Sequence, residues 1–505
     1  MPTETVSHPS AADRRTRGAE ARTRTPLDSH GGWVPAADRP DPVTLLQEQN
    51  RTRELDLIPV RHGRMAVSPF TFYRGAAKVM AADLAGTPTA GLHTQLCGDA
   101  HLSNFGGYAS PERRLLFDLN DFDETLPGPF EYDVKRMAAS FVIAARNNGL
   151  SVQDARAATA AAVRSYREAT AEFARMGTMD LWYAHMSEDD LTGLIQQAAA
   201  GNKHDKDGHG KSTGKNGKTK TGTSTVKGKT GQGEADARQR AARSAQKNLR
   251  KTHTRDSLQA LSKLGELVDG RYRIVSQPPV VVPARDLAAA NGLTPDEVEA
   301  TVHQQFRAYR ATLQDDRRDL LERFEIIDMA RKVVGVGSVG TRAFIVLLQG
   351  RDPQDPLFLQ VKEATRSVLE DHLPKSRYRN PGERVVQGQR MMQAASDIHL
   401  GWAKGVEADR FFYWRQLRDM KGSAIVEAMT GFGLTFYARL CGWTLARAHA
   451  RAGDPIAMAE YLGDGDDFDR SITDFSQRYA DQNELDYQAF TNAIRSGRIA
   501  AVTGV

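Results

Sequence analysis

The segment Gly98-Asp99-Ala100-His101-Leu102-Ser103-Asn104 sets an aspartate five residues ahead of an asparagine in one tight loop. That spacing suits phosphoryl transfer, where one loop does two jobs: the Asp orients or deprotonates the attacking hydroxyl, and the Asn holds a metal ion on the phosphates. After a turn over residues 109–113, the apolar run Leu115-Leu116-Phe117 leads into Asn120-Asp121-Phe122-Asp123. A carboxylate at such a strand end can hold Mg²⁺, a hard ion that takes oxygen ligands and bridges phosphates.

A second constellation lies more than two hundred residues further on. Gly335-Val336-Gly337-Ser338-Val339-Gly340 has the form G-x-G-x-x-G, a weak signal alone. A dinucleotide-binding fingerprint would put a helix directly after it. Here Ala343 to Leu348 is strand-like instead, giving a strand–loop–strand hairpin whose glycines let backbone amides cover phosphates. The next strand, Leu357 to Val361, ends in Lys362, placed to pair with α- and β-phosphates. Glu383, at the start of the following helix, is the candidate acid holding Lys362, with Glu370 in reserve. The plainer reading of this constellation is a pair of hairpin turns and an exposed strand-end lysine. Coexistence with the Asp99 loop favours the functional one.

Gly98 to Asn104 resembles the H-G-D-x-H-x-x-N loop of aminoglycoside and choline kinases, with Cys97 where those enzymes usually have His. Asp121-Phe122-Asp123 resembles their I-D-F-D motif, the counterpart of D-F-G in protein kinases, and Gly128-Pro129 to Tyr132-Asp133 resembles the segment that follows. The resemblance implies Asp99 as catalytic base, Asn104 and Asp121 as metal ligands and Asp133 as a brace for the loop. Because the intervening loop is longer than usual, Asp118 or Asp123 could replace Asp121. It further implies an α+β, protein-kinase-like fold of two lobes, a helix-rich large lobe and a small antiparallel-sheet lobe, in circularly permuted order. The run Phe411 to Leu417 would supply the last small-lobe strand and hinge, and Leu434 to Arg451 the helix that precedes the catalytic loop. Permutation is tolerated where termini lie close together at a surface. The order of motifs also resembles the uncharacterised bacterial family catalogued as domain of unknown function 2252, over most of residues 44–500.

The rest of the chain is organised around these segments. Residues 1–43 are polar, with scattered Pro, Gly and Arg, and are expected to form a disordered tail. Residues 44–198 form a large-lobe segment, 256–325 a helical connector, 326–425 the small lobe and 426–505 helices completing the large lobe. Between them, residues 199–255 form a basic insert, low-complexity and then helical. From Ala200 to Arg255 there are 15 Lys+Arg against four Asp+Glu, a balance of +11; with +5 overall, the remainder is −6. The basic character therefore belongs to one segment, a solvated linker rather than a nucleic-acid-binding face on a fold.

No apolar run approaches the roughly 18 residues of a membrane span, and the N-terminus lacks the apolar core of a secretory signal. The two cysteines, Cys97 and Cys441, suggest neither a disulfide framework nor a zinc site, and point to a reducing, cytoplasmic compartment.

The expected activity is ATP- and Mg²⁺-dependent phosphotransfer to a hydroxyl of an acceptor, a small molecule rather than a protein. Gly335, Gly337, Ser338 and Gly340 would cover the phosphates, Lys362 orient them, Asn104 with Asp121 or Asp123 hold the metal, and Asp99 accept the proton. Nucleotidyl transfer and a non-catalytic nucleotide-binding scaffold remain the rivals. Arg74, after the aromatic cluster Phe70 to Tyr73, could reach a phosphate or the acceptor, or make a structural ion pair. His101 and His449 suit loop packing better than metal ligation. Tyr479 to Glu484 could border the substrate cleft.

Overall fold

The apolar runs of the central region pair as a sheet because their alternate residues meet two different cores. A computed structural model describes residues 8–200 and 230–504, apart from 291, 293, 334, 407, 408, 418 and 419. In it, Ala343–Gln349 lies between Glu325–Lys332 and Pro356–Glu363, all antiparallel. Phe411–Gln416 and then Gly401–Lys404 extend the sheet on the lysine side, and Val281–Pro283 extends it on the other. Val346, Leu348, Leu359 and Val361 face a core with Phe306, Tyr309 and Leu321, where Tyr309 stacks on Trp414 at 4.6 Å. Ile345, Leu347 and Phe358 face the opposite core, with Leu261 and Leu264. Both faces are covered, which is why the central strands read as continuous apolar runs rather than strict alternation.

The helical part surrounds Glu131–Asn147, fifteen of whose residues are buried. Gly431–Ala452 packs on Val152–Phe173 at close range: a Cβ on Gly442 would stand 2.1 Å from the Ala162 carbonyl oxygen. Asp467–Arg495 closes the bundle against Glu131–Asn147. Two small antiparallel sheets join it to the rest. His93–Leu96 pairs with Leu126–Pro129. Phe105–Ala109 pairs with Leu115–Leu119, and the pair is flanked by Gly422–Ser423 and Met186–Ser187. The chain is thus mixed α+β with several antiparallel sheets. Among the described residues, no helix is long and apolar enough to cross a membrane.

Two segments depart from the sequence reading. The tail expected to be disordered contains a helix, Ala11–Arg24, opened by a Ser10/Asp13 capping box. Its contact stripe is made of small residues: Ala21 is fully buried, and Gly18 approaches the Ala457 carbonyl so closely that a Cβ would sit 2.3 Å away. Arg22 Nε donates to the Tyr461 carbonyl at 2.7 Å. A docking face with no bulky apolar residue leaves no periodic signal. The expected helical connector 256–325 also contains the hairpin Gly265–Val268 with Arg271–Ile274, and the edge strand Val281–Pro283, whose closing proline fits an edge. In the basic insert, Thr230–His253 is helical, while residues 201–229, most of the low-complexity run, lie outside the described residues.

One buried ion pair ties the N-terminal and C-terminal portions together. Arg447 Nη2, on Gly431–Ala452, donates to Asp118 Oδ1 at 2.5 Å, and the Ala394 amide donates to Asp118 Oδ2 at 2.8 Å. Both side chains are about 1% exposed. Asp118→Ala strands the guanidinium, so chemical denaturation should show a loss of about 3–5 kcal/mol, whereas an exposed pair such as Arg156–Asp474 should cost under about 1 kcal/mol.

Candidate active site

The glycine-rich loop and the Asp99 loop, distant in sequence, face each other across a cleft of about 350 Å³. A second cavity of about 270 Å³ lies beside it, reaching Gln416 and Leu417 on the strand that borders Lys362. Asp121, Gly335 and Ser338 line both.

Gly98 makes the Asp99 loop possible. Its φ is +84°, and a Cβ there would meet the Glu124 carbonyl oxygen at 2.2 Å. Behind the loop, the Asp133 carboxylate accepts from the Cys97 and Gly98 amides at 2.7 and 3.0 Å. His449 Nε2 lies 3.2 Å from Asp133, and His449 Nδ1 is 2.9 Å from the Tyr166 hydroxyl. This histidine therefore belongs to the brace behind the loop. Asn104 Nδ2 donates to the Asp99 carbonyl at 2.8 Å, which leaves the carboxamide oxygen as the atom for the cleft.

Asp99 Oδ1 accepts from Arg136 Nε at 2.8 Å. Burial pushes the Asp99 carboxyl up to about 6; Arg136 opposes the shift, and the charges of Asp121 and Asp133 add to it. His101 Nε2 stands 3.7 Å from Asp99 Oδ2, and burial drives that imidazole towards the neutral form.

Lys362, 3% exposed on its strand, points at the acidic strand end. Its ammonium lies 2.5 Å from Asp123 Oδ2 and 3.9 Å from Asp121 Oδ1. Burial disfavours the ammonium, but Asp121 and Asp123 outweigh that and raise its pKa. The Tyr413 hydroxyl donates to Asp123 Oδ1 at 2.6 Å, and Ser338 Oγ to Oδ2 at 3.4 Å. Burial works against the Asp123 carboxylate, yet Lys362 above all, with Tyr413 and Arg415, holds it below the usual range. Asp121 accepts from the Asp123 amide at 3.3 Å and is about a third exposed, leaving oxygen for a ligand. Among the described residues no three His, Cys, Asp or Glu side chains gather as a metal site. The protein offers Asn104 and Asp121 oxygens, the small donor set that Mg²⁺ accepts when phosphates and water complete its shell.

Glu383 does not pair with Lys362 among the described residues, where the lysine's ion-pair partners are Asp123 and Asp121; it stands in the first turn of Pro381–Met392, capped by Asn380. The same helix turns Arg384 inwards, and its guanidinium donates to the carbonyls of Thr125 (2.5 Å), Asp123 (2.7 Å) and Thr365 (3.0 Å). Glu370 pairs with Arg366 at 3.4 Å instead. Asp118, the other metal-ligand alternative, is spent on Arg447. Tyr479 is buried with its hydroxyl on Asp83, in a structural network with Arg39 and Asp486.

Several site residues gave no sequence signal. The segment 50–75 grips the glycine-rich loop: the Glu54 amide donates to the Gly340 carbonyl (2.8 Å), Arg64 to that of Gly335 (2.7 Å), and Arg53 to that of Val339. Lys421 lies in the second cavity, where the Arg415 charge and burial push its amine down to about 7. Arg136 was findable, since it sits one turn beyond Asp133 on the same helix.

The model of a family described as an uncharacterized protein conserved in bacteria, DUF2252, matches residues 53–220 and 218–493. The chain belongs to this family. The DUF2252 match spans both loops of the cleft and the lysine strand. No curated protein and no solved structure matches the chain.

The geometry separates two glycines. Gly98→Ala meets both a left-handed backbone and the Glu124 carbonyl, and should lower stability by about 2 kcal/mol or more. Gly335 has φ +66° but open space around a Cβ, so Gly335→Ala should cost only about 1 kcal/mol. Denaturant titration of the two variants measures the difference.

Proposed function

We propose that this chain is a kinase-like phosphotransferase that uses ATP and Mg²⁺ and acts on a hydroxyl of a small acceptor, with a two-lobe fold whose lobes run in permuted order. The observation that carries the reading is the contact of Lys362, from the sheet, and Ser338, from the glycine-rich loop, with Asp123, more than two hundred residues earlier and just past the strand pair that follows the Asp99–Asn104 loop. The sheet order supports it as well: a hairpin over the glycine-rich loop, then the lysine strand, a helix, and two further strands on the lysine side.

In this reading Lys362 and the amides of residues 335–340 orient the phosphates, and the second cavity takes the base. Asn104 and Asp121 would hold the metal ion, which would supply positive charge to offset that of the phosphates. Asp99 orients the acceptor hydroxyl. As the hydroxyl oxygen bonds to the γ-phosphorus, the bond from that phosphorus to the β–γ bridging oxygen breaks, ADP leaves, and the hydroxyl proton passes to Asp99. Arg136 fixes the Asp99 carboxylate, and Asp133 fixes the backbone that carries it. Catalysis is mainly positioning and electrostatics.

Calorimetry with ATP should show Mg²⁺-dependent binding that Lys362→Ala and Asp121→Ala both weaken. Asp99→Asn should retain binding and lose about 10²–10⁴-fold in turnover. A nucleotidyl transferase would release pyrophosphate instead of ADP, and a scaffold would be indifferent to Asp99→Asn. The base must be ionised, so kcat/KM should rise with pH through about 6 and fall away below it. A flat profile between pH 5 and 8 would count against Asp99 as the base.

A further inference from the structure

The cleft lining contains several cations, and all but one are committed. Lys78 pairs with Asp371 at 2.6 Å, Arg366 with Glu370 at 3.4 Å, and Arg53 with the Val339 carbonyl. Arg74 is the exception: it makes no ion pair or hydrogen bond among the described residues. Its Nε is buried without a hydrogen-bond partner, and its guanidinium carbon lies over the Phe70 ring, 5.9 Å from the centroid. His101, beside it in the lining and 4% exposed, has Nδ1 buried and unpartnered too. The neutral His101 ring carries a single proton, so its Nδ1 need not donate, but the Arg74 guanidinium N–H without an acceptor is costly unless a ligand supplies one.

The position of Arg74 says which ligand. Arg74 lines the same cleft as Asp99, and the charges of Glu427 and Asp99 act on it. Lys362 lines the neighbouring cavity. A guanidinium fork matches the paired oxygens of a carboxylate or phosphate.

We infer that the acceptor carries an anionic oxygen group, carboxylate or phosphate, held by Arg74 next to the hydroxyl presented to Asp99. This rests on the phosphotransfer reading for the hydroxyl, while the anion site itself stands on the Arg74 guanidinium, unpaired among the described residues.

The test uses the full chain and three matched probes: glycerol, glycerate and glycerol 3-phosphate. Their binding is measured by calorimetry with and without Mg²⁺ and ADP, and ATP binding is measured in parallel. One or both anionic probes should bind wild type at least about tenfold tighter than glycerol. Arg74→Gln should abolish that advantage and leave Mg²⁺-dependent ATP binding unchanged. Arg74→Lys keeps the charge without the fork and should retain part of it, which keeps the test open if the glutamine variant fails to fold. Equal binding of all three probes, or anion binding untouched by either variant, overturns the inference. So does loss of ATP binding in Arg74→Gln, because Arg74 would then serve the nucleotide. Arg74-dependent binding of an anionic probe by a wild type that binds no ATP would uphold the anion site and remove the phosphotransfer reading.

Discussion

The ammonium of Lys362 and the carboxylate of Asp123 meet where the sheet and the helical part of the chain come together. Lys362 is buried and Asp123 partly covered, and a buried charge without its partner costs several kcal/mol, so the two surfaces are held in one register. Tyr413, opposite Lys362 on the neighbouring strand, closes the pair from the sheet side, and Arg384 holds the Asp123 carbonyl from the adjoining helix. The strand end that carries Asp121 is thereby set against the glycine-rich loop. The pair fixes the distance between the two walls together with Arg384 and the contacts of segment 50–75 on the glycine-rich loop.

Around that hub, the polar groups of the Asp99 loop are satisfied from behind and left open in front. Asp133 takes the backbone amides of Cys97 and Gly98, His449 and Tyr166 extend the brace into the helices, and Asn104 spends its nitrogen on Asp99. The atoms remaining on the cleft side are oxygens of Asn104, Asp121 and Asp99, which suit a metal ion and a proton. The glycine-rich loop is also restrained, since segment 50–75 occupies three of its carbonyls. This chain builds one wall of the cleft from helices that precede the Asp99 loop.

Much of this was legible where a physical signal is local. Ala343–Gln349, Pro356–Glu363 and Phe411–Gln416 are long enough for apolar and β-branched runs to declare themselves, and Gly431–Ala452 is a long helix with small residues at its contact. Val281–Pro283 and Gly422–Ser423 are too short to register, and Ala11–Arg24 docks through Gly18 and Ala21, which carry almost no hydrophobic signal. The residues gathered at the cleft were legible because they are spaced within single loops: Asp99 with Asn104, Asp121 with Asp123, Gly335 to Gly340. Pairings between elements were not. Glu383 and Arg384 are neighbours on one helix, and which of them turns inwards is decided by packing against residues 123–125, information that no short window of sequence holds.

The central claim is that two segments more than two hundred residues apart form one nucleotide site. Hydrogen–deuterium exchange of the full chain, with and without Mg²⁺ and a non-hydrolysable ATP analogue, tests it most directly. The account predicts slowed exchange in both 96–104 and 335–342 on adding the analogue with Mg²⁺, and a smaller effect with the analogue alone. Protection confined to one of these segments, or to neither, would contradict it.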